Sequence, residues 1–248
     1  MKYNIIIPVI YRDYSFLKTT IKFVFKYLDP EKLYIVTDIR FTKFLPRQIL
    51  ENQRCIVVDE NDILEGLTLQ RIKELFSKLG RTKMGAGWYF QQFLKMAFAM
   101  SDYCDLDYYL SWDSDTVPLR EIDFFDKVGK PYFTMKTEHH NPYFVIIERL
   151  LGIVNTNSRS YIAENMMFNK LLMTELINRI NNNKQLVGDT WYEKIIYALE
   201  PESVSPMGFS EFETYGTYCL NFYPGFYNER TLPSFREGGL IQGRFVSE

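Results

Sequence analysis

The chain has 248 residues, 46% of them hydrophobic, a mass of 29.5 kDa and a formal net charge of −2. That apolar content excludes a disordered chain, and the near-neutral charge supplies no global basic field for nucleic acid. Three scattered cysteines, Cys55, Cys104 and Cys219, argue against a disulfide framework or a paired-cysteine zinc site and suit a reducing cytoplasm.

The stretch from Met1 to Ile10 is too short and too broken by Pro8 for a signal peptide, and no small-residue cleavage site follows it. It reads as a first buried strand over 4–10. Residues 14–28 read as a helix with Phe16, Leu17, Ile21, Val24, Phe25 and Leu28 as its apolar set. Strands follow at 33–38 and 55–59, helices at 67–79 and 88–101, and a central strand at 108–112. Such alternation predicts parallel βαβ units joined by right-handed crossovers.

Beyond Pro118 the pattern loosens. It predicts a strand at 131–135, a helix or strand at 143–151, a strand at 159–163 running into a helix at 164–181, and helices at 190–199 and 209–220. From Tyr223 on, Gly, Pro and Arg predict mobile loops. Nowhere does a run reach the eighteen or so apolar residues of a membrane span. With no linker or repeat, one domain is expected, with a nucleotide-binding half over 1–120 and an acceptor half over 121–248. Eighteen Tyr and twenty Phe suit stacking surfaces for rings or sugars, although core packing takes up most aromatics.

The central strand Tyr108–Trp112 gives way to Asp113-Ser114-Asp115. Two carboxylates one residue apart at the end of an apolar strand suit a divalent cation that also holds a diphosphate, since Mg²⁺ and Mn²⁺ take oxygen ligands and keep open positions. Thirteen Asp yield roughly 0.7 such tripeptides by chance, so position must decide. A second copy, Asp105-Leu106-Asp107, enters the same strand from its amino end. Ligands of open α/β sheets sit beyond the carboxyl ends, which selects Asp113 and Asp115. Asp38 and Asp59 also end strands, and for these a turn role is the stronger expectation.

In this setting the chain resembles GT-A glycosyltransferases, and more narrowly a bacterial glycosyltransferase-like family, formally a domain of unknown function, of surface-polysaccharide gene clusters. The likeness is carried by four blocks, Gly87 to Lys95 (GWYFQQFLK), Leu110 to Leu119 (LSWDSDTVPL), Ala163 to Phe168 (AENMMF) and Phe209 to Gly216 (FSEFETYG). It implies a Rossmann-like α/β fold, a mainly parallel sheet flanked by helices. It also implies sugar transfer from a nucleotide-sugar donor, with Mn²⁺ or Mg²⁺ at Asp113 and Asp115. The expected donor is a UDP-sugar and the expected acceptor a growing bacterial surface glycan, free or lipid-linked, such as lipopolysaccharide or capsule.

An inverting transferase needs a base for the acceptor hydroxyl. Glu211 suits that role, with Asp189 and Glu164 in reserve; a retaining enzyme needs no such base. Ser210 and Glu213 also spell a capping box, so the two acids divide into one cap and one site residue. The resemblance places the nucleotide base at Pro8, Tyr11, Arg12 and Asp13, with Tyr11 stacking on it and Asp13 on uracil or ribose; an ordinary turn and helix cap is nearly as good a reading. Asp113 is a further candidate for the ribose hydroxyls, and Asp38 for the donor crevice.

The entry Gly85-Ala86-Gly87-Trp88 opens a helix bearing Gln92 and Lys95. There backbone amides can meet an anion, and Lys83 or Lys95 can neutralise phosphate. Trp88 is more a packing residue than a platform. His139 and His140, adjacent in sequence, are no ready chelate; they either contact ligand or lie on a surface loop. Arg230, Arg236 and Arg244 are expected in a loop that closes over the diphosphate. Lys18, Lys22 and Lys26 form a helical stripe, either a solvated face or a peripheral contact with anionic lipid. Nucleotidyltransferase or nucleotide-sugar phosphohydrolase chemistry would use the same carboxylates, and a non-catalytic carbohydrate-binding protein is the remaining alternative. No basic glycine-rich loop follows strand one, against nucleotidyl transfer.

Overall fold

A computed structural model describes residues 1–80, 85–154, 160–199 and 208–234. In chain order the elements are β1 (Asn4–Pro8), α1 (Tyr14–Tyr27), β2 (Leu33–Thr37), α2 (Arg47–Leu50), β3 (Cys55–Asp59), α3 (Leu69–Lys78), α4 (Ala86–Ala97) and β4 (Tyr108–Trp112). They continue as β5 (Tyr132–Thr134), α5 (Asn141–Leu151), β6 (Asn165–Asn169), α6 (Lys170–Asn182), α7 (Trp191–Ala198), α8 (Glu211–Phe222) and β7 (Asn228–Arg230).

Five strands form one sheet in the order β3-β2-β1-β4-β6. β1 to β4 are parallel and β6 runs antiparallel to β4. β5 and β7 pair separately in a small parallel sheet. This is the mainly parallel, helix-flanked α/β sheet that the GT-A resemblance implies. Among the described residues, no helix is long and apolar enough to cross a membrane.

The strands are apolar throughout because both sheet faces are covered. Ile5, Ile7, Leu33, Ile35, Leu110 and Met167 face one layer with α1 and α2. Ile6, Tyr34, Val36, Tyr109, Met166 and Phe168 face the other, with α3 to α8. Alternate residues of each strand thus feed separate cores, which fixes register: a slip of one residue exchanges the two sets.

One expected boundary is displaced. The strand expected at 159–163 lies at Asn165–Asn169, and the helix after it begins at Lys170 rather than 164. Two causes are visible. Met166, Met167 and Phe168 have adequate helix propensity, but their alternate burial against two cores overrides it. Asn169 then caps α6, its Oδ1 accepting from the N–H groups of Leu171 and Leu172 at 3.1 and 3.2 Å. The 143–151 segment is a helix, with Pro142 in its first turn and Gly152 in the left-handed conformation at its end.

The loop after residue 159 is held to α8 through Glu213. That carboxylate, fully buried, accepts from Ser160 Oγ and the Tyr161 N–H, both at 2.8 Å. Tyr161, also fully buried, lies against Gly216, where a Cβ would stand 2.3 Å from its ring. We predict that Gly216→Ala destabilises the fold by about 1–3 kcal/mol or more through overpacking. Chemical denaturation should show a lower midpoint with unchanged slope. An unaltered midpoint would mean that the Tyr161 ring can move aside freely.

Candidate active site

The carboxyl ends of β1, β2, β3 and β4 open on one edge of the sheet. Asp113 and Asp115 leave β4 there: the Asp113 N–H donates to the Glu164 carbonyl at 3.2 Å, and the Asp113 carbonyl accepts from Thr116 at 3.1 Å. The Ser114 carbonyl accepts from Thr20 Oγ1 of α1 at 2.8 Å. The turn is therefore fixed from the neighbouring β6 end of the sheet and from α1. Glu164 also pairs with Lys136 at 3.4 Å and accepts from Ser234 Oγ at 3.1 Å.

At the opposite end of β4, Asp105 pairs with Lys32 at 2.6 Å and accepts from Asn4 at 2.7 Å. The upstream carboxylate of the decoy tripeptide is thus a tie between strand beginnings.

The centre of the site is a buried cation. Lys95 of α4 is 4% exposed, and its Nζ donates to Asp113 Oδ1 at 2.8 Å and to Glu211 Oε1 at 3.0 Å. It lies 4.6 Å from the Phe212 ring centroid. Gln92, one turn earlier, accepts through Oε1 from the Glu211 N–H at 3.0 Å, and Tyr89 accepts through its hydroxyl from the Gly208 N–H at 3.0 Å. Tyr89, Gln92 and Lys95 follow the i, i+3, i+6 spacing of one helix face. That face holds the entry and first turn of α8, with Glu211 itself only 4% exposed.

Burial alone would lower the Lys95 ammonium; Asp113 and Glu211 outweigh it and keep the group above its ordinary value. The Glu211 carboxyl is raised, first by burial and then by Asp113, with Lys95 opposing. Asp115 is raised as well, by desolvation first, then by Asp113 and Asp13. Carboxylates therefore outnumber cations at this edge. The donor set is all oxygen, which suits Mg²⁺ or Mn²⁺. Among the described residues no group of three or more His, Cys, Asp or Glu stands at ligating separation, so the chain offers Asp113 and Asp115, with phosphate and water to complete a coordination sphere.

Ser210 caps α8, its Oγ accepting from the Glu213 N–H at 3.2 Å. The box is only half made, since the Glu213 carboxylate serves Ser160 and Tyr161 instead. Tyr143 of α5 was not anticipated as part of this neighbourhood. Its hydroxyl is raised by burial, then by the nearby Glu211. His140 packs against Tyr143 at 4.5 Å and His139 stacks on Phe144 at 4.3 Å, so both histidines make ring contacts. The Tyr89–Gln92–Lys95 spacing was readable as a polar stripe on an otherwise apolar helix; Tyr143 carried no comparable signal.

Other expected site residues lie along the rim. Pro8 ends β1 in register with Val36. Tyr11 is half-exposed and stacks on Phe41 at 5.1 Å. Arg12 reaches Asp13 at 3.3 Å. Asp38 accepts from the Arg40 N–H at 3.0 Å and pairs with its guanidinium, so it caps a turn. Asp59 does likewise for Asn61 at 3.0 Å. Trp88 packs edge-on against Tyr89 at 5.0 Å and is partly buried against the core.

Asp189 stands apart, before α7, its N–H donating to Glu193 at 2.9 Å while Glu193 pairs with Arg71. Arg230 lies in β7 against the rings of Phe124 and Tyr132, beside a cavity of about 730 Å³ that none of Lys95, Asp113 or Glu211 lines. Lys83, Arg236 and Arg244 lie outside the described residues.

A protein-family model matches residues 2–224. The chain belongs to DUF6492, a family of unknown function. No curated protein matches. Solved structures overlap the chain at 11% identity. One is the galactosyltransferase LgtC in complex with donor and acceptor sugar analogues, covering 79% of this chain and 69% of that one at a TM-score of 0.43. Another is mouse xyloside xylosyltransferase 1 in its apo form, covering 94% and 85% at 0.49. Likeness at that level assigns no activity to this member of DUF6492.

Two predictions concern the electrostatics of the site and its rim. Lys95→Met leaves the buried Glu211 carboxylate uncompensated beside the partly buried Asp113 and should cost about 3–5 kcal/mol. Adding Glu211→Gln should restore part of that loss in urea unfolding, and strict additivity would contradict a shared cation. Glu60, half-buried just past β3, has its carboxyl raised from 4.5 to about 7 by burial, then by Asp38 and Asp59. The folded chain holds that proton more tightly than the unfolded one, so this contribution is full below about pH 4.5 and is lost as pH rises toward 7. Glu60→Gln should therefore raise the melting temperature more at pH 8 than at pH 5. A gain independent of pH would exclude Glu60 as the source.

Proposed function

We propose that this DUF6492 chain is a metal-dependent glycosyltransferase of the GT-A type. The reading is carried by one observation: Asp113, at the carboxyl end of the central parallel strand, shares the buried Lys95 ammonium with Glu211, while Asp115 stays exposed beside it. A paired carboxylate edge with an adjoining acid is what nucleotide-sugar chemistry requires. Asp113 and Asp115 are the residues that would hold Mn²⁺ or Mg²⁺. When bound, that ion supplies Lewis-acid stabilisation of the charge on a leaving diphosphate.

In the reaction proposed, the bond from the anomeric carbon to the diphosphate oxygen breaks and a bond to an acceptor hydroxyl oxygen forms. The nucleoside diphosphate leaves with the electron pair, and the acceptor proton passes to the Glu211 carboxylate. Glu211 suits this role because burial raises its affinity for a proton while Lys95 holds it oriented. Tyr11, half-exposed and already stacked on Phe41, offers a ring face for the nucleobase, with Pro8, Arg12 and Asp13 beside it. Residues 1–120 form the donor half and 121–248 the acceptor half. On the family resemblance, the donor is a UDP-sugar and the acceptor a bacterial surface glycan, either lipopolysaccharide or capsule. Glu211 is preferred to Asp189 as base because Lys95 ties it to Asp113, whereas the Asp189 segment is tied to Glu193 and Arg71.

The test is donor binding by calorimetry with Mn²⁺ and a panel of UDP-, GDP- and CMP-sugars, followed by slow donor hydrolysis. Metal-dependent binding of one donor is expected, with the nucleoside diphosphate as product. Asp115→Asn should abolish that binding, whereas Glu211→Gln should retain it and lower turnover by about 10²–10⁴-fold. Release of a nucleoside monophosphate would instead indicate phosphohydrolase chemistry. Silence toward every donor, with or without metal, would sink the proposal.

A further inference from the structure

The charge of this chain is divided unevenly. Residues 1–54 hold ten Lys and Arg against five Asp and Glu, a net of +5, while the remaining residues carry −7. Every acid in that first stretch is already paired: Asp13 with Arg12, Asp29 with Arg54, Glu31 with Lys2, Asp38 with Arg40 and Glu51 with Arg47. Lys32 is taken by Asp105. Within residues 1–54, four lysines are left without an ion pair among the described residues: Lys18, Lys22, Lys26 and Lys43.

These four share one side of the fold. Lys18, Lys22 and Lys26 are exposed at i, i+4 spacing along α1, and Lys43 is exposed in the turn leading to α2, which packs on α1 over the same sheet face. Apolar side chains stand exposed among them: Ile39 at 49%, Phe44 at 51% and Leu50 at 51%. Lys43 lies 5.1 Å from the Phe44 ring, and Lys26 lies 4.7 Å from the half-exposed Tyr27 ring. Exposed aromatic and aliphatic groups set among unpaired lysines form the surface that inserts shallowly into headgroups while meeting anionic lipid.

We infer that the face of α1 and α2 docks on an anionic lipid bilayer, with Phe44, Leu50 and Ile39 as shallow anchors. A second copy of the chain suits this face poorly, because an isologous contact sets its lysines against themselves. Nucleic acid would leave the aliphatic anchors unused. The face reaches the carboxyl edge of the sheet, since the Phe44 ring lies 5.0 Å from Tyr11 just beyond β1. On this point the inference deepens the glycosyl-transfer reading and rests on it: docking brings the Asp113 edge beside the bilayer, where a lipid-anchored acceptor presents its terminal sugar.

The experiment is flotation of the full chain with vesicles of phosphatidylcholine containing a quarter phosphatidylglycerol, and with pure phosphatidylcholine, without donor. Binding is expected only to the anionic vesicles and should fall steeply between 0.1 and 0.5 M salt through screening. Each lysine near the surface contributes about fivefold, so Lys18→Gln, Lys22→Gln, Lys26→Gln and Lys43→Gln together should lower partitioning more than about a hundredfold. Phe44→Ser with Leu50→Ser should lower it about tenfold at unchanged charge. These exposed substitutions should leave circular dichroism and donor binding intact.

Equal binding to both vesicle types, or partitioning that neither set of substitutions lowers, would overturn the inference. So would a dimer in solution that the lysine substitutions convert to monomer, which would assign the face to a second copy. Since no donor is present, failure here leaves the glycosyltransferase proposal standing, and failure of donor binding leaves lipid docking standing.

Discussion

One buried ammonium joins the parts of this fold that matter most. Lys95 contacts Asp113 from the central strand and Glu211 from the start of α8, and it comes from the helix that packs between them. An unpaired charge so deep in a protein is costly, and a lone buried carboxylate no less so. Each of the three groups therefore depends on the others for compensation. Gln92 and Tyr89 add neutral hydrogen bonds to the same segment, accepting from the N–H groups of Glu211 and Gly208. The entry into α8 is consequently set from α4, not by its own loop alone.

Glu213 shows a related economy at the other side of α8. Sequence spacing casts it as the returning half of a capping box, and Ser210 does perform its half. The Glu213 carboxylate, however, is fully buried and serves a distant loop, accepting from Ser160 Oγ and the Tyr161 N–H. Gly216 lets the Tyr161 ring approach closely enough for this. Two acids two residues apart thus carry separate duties. One stabilises a loop joint; the other pairs with Lys95.

Much of the sheet was legible because its parallel strands are covered on both faces and so read as unbroken apolar runs. Asp113 and Asp115 were legible from position, since the strand ahead of them had a clear end. The displaced β6 was not, because Met166 to Phe168 suit a helix locally, and only the two cores behind them enforce extension. The role of Lys95 was partly hidden for a different reason. Its residue was singled out, but as a phosphate partner. Its carboxylate partners lie 18 and 116 positions away, a separation that helical or strand spacing cannot report. The electrostatic link between Tyr143 and Glu211 was invisible on the same ground.

Charge balance at the strand edge gives the strongest reason to expect a divalent ion. On the proposed reading, a nucleotide-sugar would bring two phosphate charges to a place where Asp113, Asp115, Asp13 and Glu211 already gather. Arg12 reaches Asp13, and the single Lys95 is divided between Asp113 and Glu211. The Asp115 carboxyl is raised chiefly by burial, and Asp113 and Asp13 then push it the same way while Lys95 opposes them. A diphosphate added to that arrangement without further positive charge would meet net repulsion in a partly desolvated setting. Either the anion stays out or a cation enters with it. On the proposed reading, two adjacent carboxylates with open solvent on one side are the donor set that such a cation would select, and the excess of acid at this edge is what would favour a metal–diphosphate pair over a free diphosphate.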